Sequence, residues 1–83
     1  MMEFSIVWSD RARRQLRKLD RGIARRIFER VGELEKNPHR QVQKLVNSRY
    51  FRLRVGDYRV ILDIQGATLR ILVLKVGHRS TIY

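Results

Sequence analysis

The spacing of apolar residues changes twice along the chain. Over residues 2–8 every second residue is apolar, which is typical of a strand with one buried face. Between residues 10 and 36 the apolar residues recur every three or four positions, as they do along one side of a helix. From residue 50 onward the period of two returns in three segments, at about 50–55, 58–65 and 68–76. The pattern predicts the element order β-α-α-β-β-β.

The helical region divides into two helices at Asp20. Ser9 is suited to cap the first helix, because its hydroxyl can accept from an N–H of the first turn, and Asp10 adds a favourable negative charge there. Asp20 is suited to cap the second helix in the same way. The region ends at Asn37-Pro38, since proline lacks an N–H and restricts the residue before it. These signals predict a helical hairpin.

The predicted fold class is α+β, with the helical hairpin packed on a twisted, mainly antiparallel sheet. The 83 residues are enough for one small domain. We expect the helices to cover the sheet face that carries Leu53, Val60 and Leu62, and to leave the other face open. The last two strands are partly apolar on both faces, as central strands under helices are. Neither the place of the first strand in the sheet nor the structure of residues 39–49 follows from the pattern.

The hairpin predicted around Gly56 brings arginine side chains together. Gly56-Asp57 fits a two-residue turn, because glycine tolerates the positive φ that the first position of a type II′ turn requires. This turn places Arg54 opposite Arg59, and Arg52 follows on the same face. Like charges in such positions are destabilising, by up to about 1 kcal/mol. The arginines form either an ordinary solvated face or a site that binds an anion such as phosphate between guanidinium groups.

The balance of charged residues indicates an anionic partner. The chain has 19 Lys and Arg against 8 Asp and Glu, a net charge of +11, and 15 of the 19 are arginine. Guanidinium forks match phosphate oxygens two at a time, so nucleic acid is the first candidate. An acidic protein is second, and an anionic membrane surface is a distant third. No stretch approaches the ~20 apolar residues of a membrane span and the chain start lacks a signal-peptide pattern, so we expect a cytoplasmic protein.

The inventory of reactive residues favours a metal-free basic site without a cofactor. The chain has no cysteine, no glycine-rich phosphate loop and no HExxH-type metal motif. A set of fixed cations suits the stabilisation of extra negative charge on a phosphate group. If the substrate is RNA, its own 2′-hydroxyl can serve as the nucleophile.

The closing segment GHRSTIY adds three further candidates. His78 is a residue type that exchanges protons near neutral pH, Arg79 is a fixed cation, and Tyr83 offers a ring for base stacking or a phenol for proton transfer. Each also has an ordinary explanation. A loop histidine commonly faces solvent, an arginine can bond a carbonyl group, and a terminal aromatic residue can pack on the sheet.

Three segments together resemble the RelE toxins of type II toxin–antitoxin pairs: SDRARRQLRKLD, YFRLRVGDYRVILDI and LVLKVGHRSTIY. RelE toxins are small mRNA interferases, and the resemblance extends over residues 4–83, which makes residues 1–83 a single toxin domain. It implies the RelE-like microbial RNase fold and a metal-independent endoribonuclease that cleaves mRNA in the A site of a translating ribosome. It also implies an inhibitory antitoxin of the RelB type in a heteromeric complex.

The resemblance assigns roles to individual residues. The phosphate-binding and catalytic positions of the family fall on four arginines and one tyrosine: Arg52, Arg54, Arg59, Arg79 and Tyr83. His78 is an additional candidate for proton transfer. The basic residues of the first helix are expected to contact ribosomal RNA, or else to form an ordinary solvated helix face: Arg11, Arg13, Arg14, Arg17 and Lys18.

One departure from the RelE pattern bears on the chemistry. Well-studied members carry lysine at the first two hairpin positions, where this chain has Arg52 and Arg54. A guanidinium group keeps its proton at any ordinary pH and is a poor general base. Proton transfer then falls to His78, to Tyr83 or to the ribosome. Two other hypotheses stay open: a toxin of the same fold that inhibits DNA gyrase, like the ParE proteins, and a catalytically inactive RelE-like protein.

Overall fold

The computed structural model describes residues 3–82, in which two α-helices pack on one face of a five-stranded sheet. In chain order the elements are β1 (Ser5–Trp8), α1 (Asp10–Arg17), α2 (Arg21–Gly32), β2 (Gln43–Lys44), β3 (Phe51–Val55), β4 (Tyr58–Gln65) and β5 (Arg70–His78). Short 3₁₀ turns lie at Glu33–Glu35 and Pro38–Arg40. The predicted order β-α-α-β-β-β is confirmed. One short strand, β2, is added within the segment that the pattern left unassigned.

Both helices of the hairpin begin at the predicted capping residues. The Ser9 hydroxyl accepts a hydrogen bond from the Ala12 N–H at 3.1 Å, and Asp20 Oδ2 accepts one from the Gly22 N–H at 3.1 Å. The hairpin ends earlier than predicted. The α2 helix stops at Gly32, and the chain tightens into the first 3₁₀ turn, a frequent ending of α-helices.

The strands lie in the order β1-β5-β4-β3-β2. The β1 strand pairs with β5 in parallel, and the other neighbouring pairs are antiparallel. The sheet is therefore mainly antiparallel, as predicted, and the first strand lies at one edge beside the last. The β2 strand forms the opposite edge, where Gln43 pairs with Arg52. It has only two residues, too few to show an alternating pattern in the sequence.

The helices pack on the predicted face of the sheet. Leu53, Val60 and Leu62 are fully buried there, together with Ala12 of α1 and Ile27 of α2. The opposite face is not covered by α1 or α2, although Arg11 near the start of α1 reaches it, and it is called the open face below. None of the helices in residues 3–82 is long and apolar enough to cross a membrane.

A β-bulge in β5 determines which residues reach the open face. Ile61 of β4 lies opposite Lys75, whereas its neighbour Leu62 lies opposite Val73, so Leu74 has no opposite residue on β4. The extra residue reverses the alternation of side chains along the rest of β5. Lys75 therefore joins the open face instead of pointing into the apolar core.

The same stretch of β5 is held by α1. The β1 strand ends at Trp8, so the outer edge of β5 has no strand partner beyond that point. Ser9 Oγ donates to the Leu74 carbonyl at 3.0 Å, and Gln15 Oε1 accepts from the Val76 N–H at 2.7 Å. These side chains replace missing ladder hydrogen bonds and fix the helix against the strand.

Candidate functional site

Three arginines of the β3–β4 hairpin meet on the open face. The register places Arg54 opposite Arg59 and Arg52 opposite Ile61, as predicted from the two-residue turn. Their side chains line an open pocket of about 280 Å³ together with two glutamines. This arginine pocket consists of Gln41, Gln43, Arg52, Arg54 and Arg59. No carboxylate of the described residues lines it, so its positive charge is not compensated within its own walls.

Arg59 is the buried member of the arginine pocket. It is 8% exposed, and its Nη1 donates to the carbonyl oxygens of Gly56 at 2.9 Å and Tyr58 at 2.8 Å. Gly56 has a φ of +58°, the positive value predicted for the first turn position. The guanidinium group therefore braces the turn, and the carbonyl dipoles offset part of its repulsion with Arg54 on the opposite strand.

Arg54 is the most accessible cation of the arginine pocket. It is exposed, and within residues 3–82 it makes no hydrogen bond or ion pair. Arg52 is half-buried, and its Nη2 donates to Gln43 Oε1 of β2. The hairpin thus holds two guanidinium groups in place and presents a third to solvent. Such an arrangement suits an anion that offers several oxygens.

Arg79 lies at the turn end of the hairpin, outside the lining of the arginine pocket. The backbone N–H of Arg79 donates to the backbone carbonyl of Asp57 at 2.8 Å, and the side-chain Nε of Arg79 is 3.9 Å from Asp57 Oδ1. The two side chains are 59% and 70% exposed, so this ion pair is weak and the guanidinium group can exchange it for another anion. Arg79 is a cation close to the turn that Arg59 braces.

The structure places His78 on the helix-covered face of the sheet. It lies opposite Tyr58, and the two rings meet edge to face with centroids 5.4 Å apart. Its Nδ1 lies 2.8 Å from the Ser80 hydroxyl oxygen. The next residue of β4, Arg59, points to the other face, so the sheet separates the imidazole from the arginine pocket. Tyr83 lies outside the described residues.

The basic residues of α1 divide between two sides of the helix. Arg11 lines a second pocket on the open face, and Arg14 and Lys18 follow it on the same side at spacings of three and seven residues. Arg13 and Arg17 lie on the other side, beside a stacked pair of aromatic rings. Only the first group faces the same way as the arginine pocket.

A family comparison identifies the class of protein. The model described as "ParE toxin of type II toxin-antitoxin system, parDE" matches residues 6–83. The chain belongs to this family. No curated protein matches this ParE-family toxin.

Solved structures of RelE toxins share the fold of this ParE-family toxin. The toxin–antitoxin complex RelBE2 from Mycobacterium tuberculosis matches with a TM-score of 0.88 and 29% identity, over 96% of this chain and 95% of that chain. The archaeal RelE–RelB complex from Pyrococcus horikoshii matches with a TM-score of 0.83 and 28% identity, over 96% and 99%. A mutant of the E. coli RelE toxin in the free state matches with a TM-score of 0.81 at 15% identity, over 98% and 88%, which shows the fold alone. The predicted membership of the RelE/ParE toxins and the RelE-like fold are confirmed.

Two parts of the open face of this ParE-family toxin do not follow from its sequence pattern. Gln41 and Gln43 enter the arginine pocket through β2, which has no signature beyond a polar segment before the hairpin. The second part is an apolar groove of about 520 Å³, lined by Ser9, Arg11, Leu45, Tyr50, Ile61, Leu74, Lys75 and Ile82. The sequence does show apolar residues on both faces of β4 and β5. The prediction explained them by burial under helices, whereas Ile61 and Leu74 line this groove.

Proposed function

We propose that this toxin is a metal-independent endoribonuclease that cleaves mRNA in the A site of a translating ribosome and thereby inhibits translation. One observation carries the proposal: Arg52, Arg54 and Arg59 line a single pocket that no carboxylate of the described residues shares. Converging guanidinium groups match the two free oxygens of a phosphodiester. A net charge of +11 draws the whole molecule toward RNA.

The proposed reaction uses the 2′-hydroxyl of the mRNA as its nucleophile. The 2′-oxygen bonds to the adjacent phosphorus and gives up its proton, while the bond from phosphorus to the 5′-oxygen breaks and that oxygen gains a proton. The products are a 2′,3′-cyclic phosphate and a free 5′-hydroxyl. Negative charge builds up on the phosphoryl oxygens in the transition state. Guanidinium groups that are already in place stabilise this charge more than they stabilise the ground state.

The arginines take different roles in this reaction. Arg54 binds a phosphoryl oxygen of the scissile group, because it is exposed and has no partner among residues 3–82. Arg52, which β2 already orients, binds a second oxygen. Arg59 adds its charge while it braces the turn. Arg79 exchanges its weak contact with Asp57 for a flanking phosphate.

The groups that take and give protons at the scissile phosphate are not among the described residues that line the arginine pocket. Arg52 and Arg54 keep their protons and cannot serve as general bases. His78 packs against Tyr58 on the helix-covered face, which makes it a weaker candidate than the sequence suggested. Tyr83 at the chain end and groups of the ribosome are the stronger candidates. A toxin without a base of its own in the pocket depends on the ribosome for activity.

The proposal includes two partners. The matching structures from M. tuberculosis and P. horikoshii are toxin–antitoxin complexes, and we assign this toxin a RelB-type antitoxin that neutralises it in a heteromeric complex. Ribosomal RNA contacts the side of α1 that faces the same way as the arginine pocket, which carries Arg11, Arg14 and Lys18. Arg13 and Arg17 contact RNA from the other side of the helix. A function on the ribosome places the toxin in the cytoplasm.

A second function is favoured by the family model, which is named for ParE. ParE-like toxins inhibit DNA gyrase through protein contacts. A gyrase inhibitor has no need of three converging arginines in a pocket without a carboxylate lining, so we rank this function second. An inactive RelE-like protein would keep the fold and lose both activities.

In vitro translation of a defined mRNA distinguishes these functions. Primer extension should detect cuts at A-site codons with the wild-type toxin and none with the Arg52→Ala/Arg54→Ala double variant. If wild-type protein that is folded and bound to ribosomes makes no cuts, the nuclease proposal is wrong. Inhibition of gyrase supercoiling by the same preparation would then support the second function.

A further inference from the structure

We propose that the apolar groove is a nucleobase-binding subsite, in which a base of the bound RNA stacks on the ring of Tyr50. The inference rests on the proposed function, because it assumes that the arginine pocket holds a phosphate of the same strand. It adds a site for a base, either that of the nucleotide whose phosphate is bound in the arginine pocket or that of the adjacent nucleotide. Tyr50 is a second stacking residue, separate from the tyrosine at the chain end.

The groove and the arginine pocket lie on the same face of the sheet, and residues that line one are neighbours of residues that line the other. Ile61 forms part of the groove, lies directly opposite Arg52, and is two residues from Arg59 along β4. Tyr50 precedes Arg52 by two residues, which is about 7 Å along an extended chain, and alternation puts both side chains on the open face. A nucleotide whose phosphate is held by Arg52 or Arg54 therefore has its base within reach of the groove.

The lining of the groove suits a flat apolar ring joined to an anionic backbone. Its volume of about 520 Å³ is in the range of small-molecule sites. Four of its eight lining residues are aliphatic: Leu45, Ile61, Leu74 and Ile82. Among the described residues that line it, Arg11 and Lys75 are the charged ones, and both are cations. An apolar protein side chain would fill the same walls but would not use these cations. These cations and the closeness of the groove to the arginine pocket favour RNA as the occupant.

The backbone around Tyr50 is fixed on both sides. Its N–H donates to Ser48 Oγ at 3.0 Å, and its carbonyl accepts from the Leu45 N–H at 3.0 Å. Tyr50 is nevertheless 37% exposed, so part of its side chain is available for contact. A ring on a braced backbone loses little freedom when a base stacks on it. Phe28 is more exposed, at 58%, but it already stacks on Trp8 at 5.9 Å.

A binding experiment without ribosomes tests the subsite. The probes are fluorescent 2′-O-methyl trinucleotides, which cannot be cut through the 2′-oxygen, in a form with three bases and in forms with each position abasic in turn. Wild-type protein should bind the complete form more tightly than at least one abasic form. Tyr50→Ala should lose roughly 5- to 150-fold in affinity for the complete form and little for that abasic form. Tyr50→Phe should bind like the wild type, because the ring is kept.

The controls make the result specific to the groove. Phe28→Ala removes an exposed ring from the helix-covered side and should leave both affinities unchanged. Circular dichroism verifies that Tyr50→Ala folds; if it does not, Tyr50→Leu removes the ring while keeping most of the bulk and should show the same selective loss.

Two results would overturn the subsite. One is equal affinity of the wild type for complete and abasic probes. The other is an equal loss for both probes in the folded Tyr50 variant, or no loss at all, which would leave the groove to a protein partner. Failure of the nuclease proposal is seen separately, as an absence of A-site cuts by a protein that still discriminates the probes.

Discussion

The two faces of the β3–β4 hairpin are built from alternate residues of the same strands, yet one face serves the stability of the fold and the other serves binding. On the helix-covered face Leu53 and Val60 are fully buried and stabilise the fold. On the open face Arg54 and Arg59 oppose one another, in a pocket that no described carboxylate lines. One face stabilises the hairpin by burial, and the other places two cations directly opposite each other. Such an unfavourable arrangement is expected at a binding site.

The largest difference between the faces should appear on truncating Leu62. Leu62→Ala should lower the free energy of unfolding by about 2–5 kcal/mol, because the side chain is fully buried between the sheet and the helices. Urea denaturation measures the change. Arg54→Ala, from the open face, should stay within about 0.5 kcal/mol of the wild type. Similar losses for both variants would contradict the division into a stabilising face and a binding face.

Arg59 should behave as an intermediate between the two faces. Arg59→Ala should lower the free energy of unfolding by about 1–3 kcal/mol, because it removes the hydrogen bonds from Nη1 to the carbonyl oxygens of Gly56 and Tyr58. Urea denaturation measures this change in the free energy of unfolding. Arg54→Ala is the matched control, because Arg54 lies directly opposite Arg59 on the neighbouring strand. An unchanged stability would mean that these bonds do not brace the turn.

The smallest expected effect is on the salt dependence of RNA binding. The logarithm of the binding constant for single-stranded RNA should fall with the logarithm of salt concentration, by about 0.7 for each phosphate neutralised. Arg54→Ala should reduce that slope by about this amount, whereas Leu62→Ala, where it still folds, should leave the slope unchanged. Titrations at several salt concentrations give the slopes. A flat dependence in the wild type would exclude phosphate binding as the source of affinity.

Much of the fold and part of the candidate site follow from the sequence. The strand period and the Gly56-Asp57 turn were enough to set the β3–β4 register, and with it the meeting of Arg54 and Arg59. Each of these signals is local, so it can be recognised without knowing the rest of the structure. The cap at Ser9 was predictable for the same reason.

The rest depends on features that have no local signature. The bulge at Leu74 is a single unpaired residue in an apolar strand, and it reverses the alternation that follows. It brings Lys75 to the open face. It also puts His78 on the helix-covered face, because β5 extends to His78 and not only to about residue 76 as predicted. The alternating pattern also gives the face on which Arg59 lies, but not its hydrogen bonds to the turn.

The proposed nuclease activity requires that the arginine pocket binds the scissile phosphate. Its most direct test is the single-turnover rate of A-site cleavage on programmed ribosomes, for Arg54→Ala and for Arg25→Ala. Arg25 is a matched control, because it is an exposed arginine on α2 whose side chain is 80% accessible. We expect Arg54→Ala to cleave about 10²-fold more slowly or worse, and Arg25→Ala to cleave like the wild type. Equal rates for the two variants would mean that the arginine pocket does not bind the scissile phosphate.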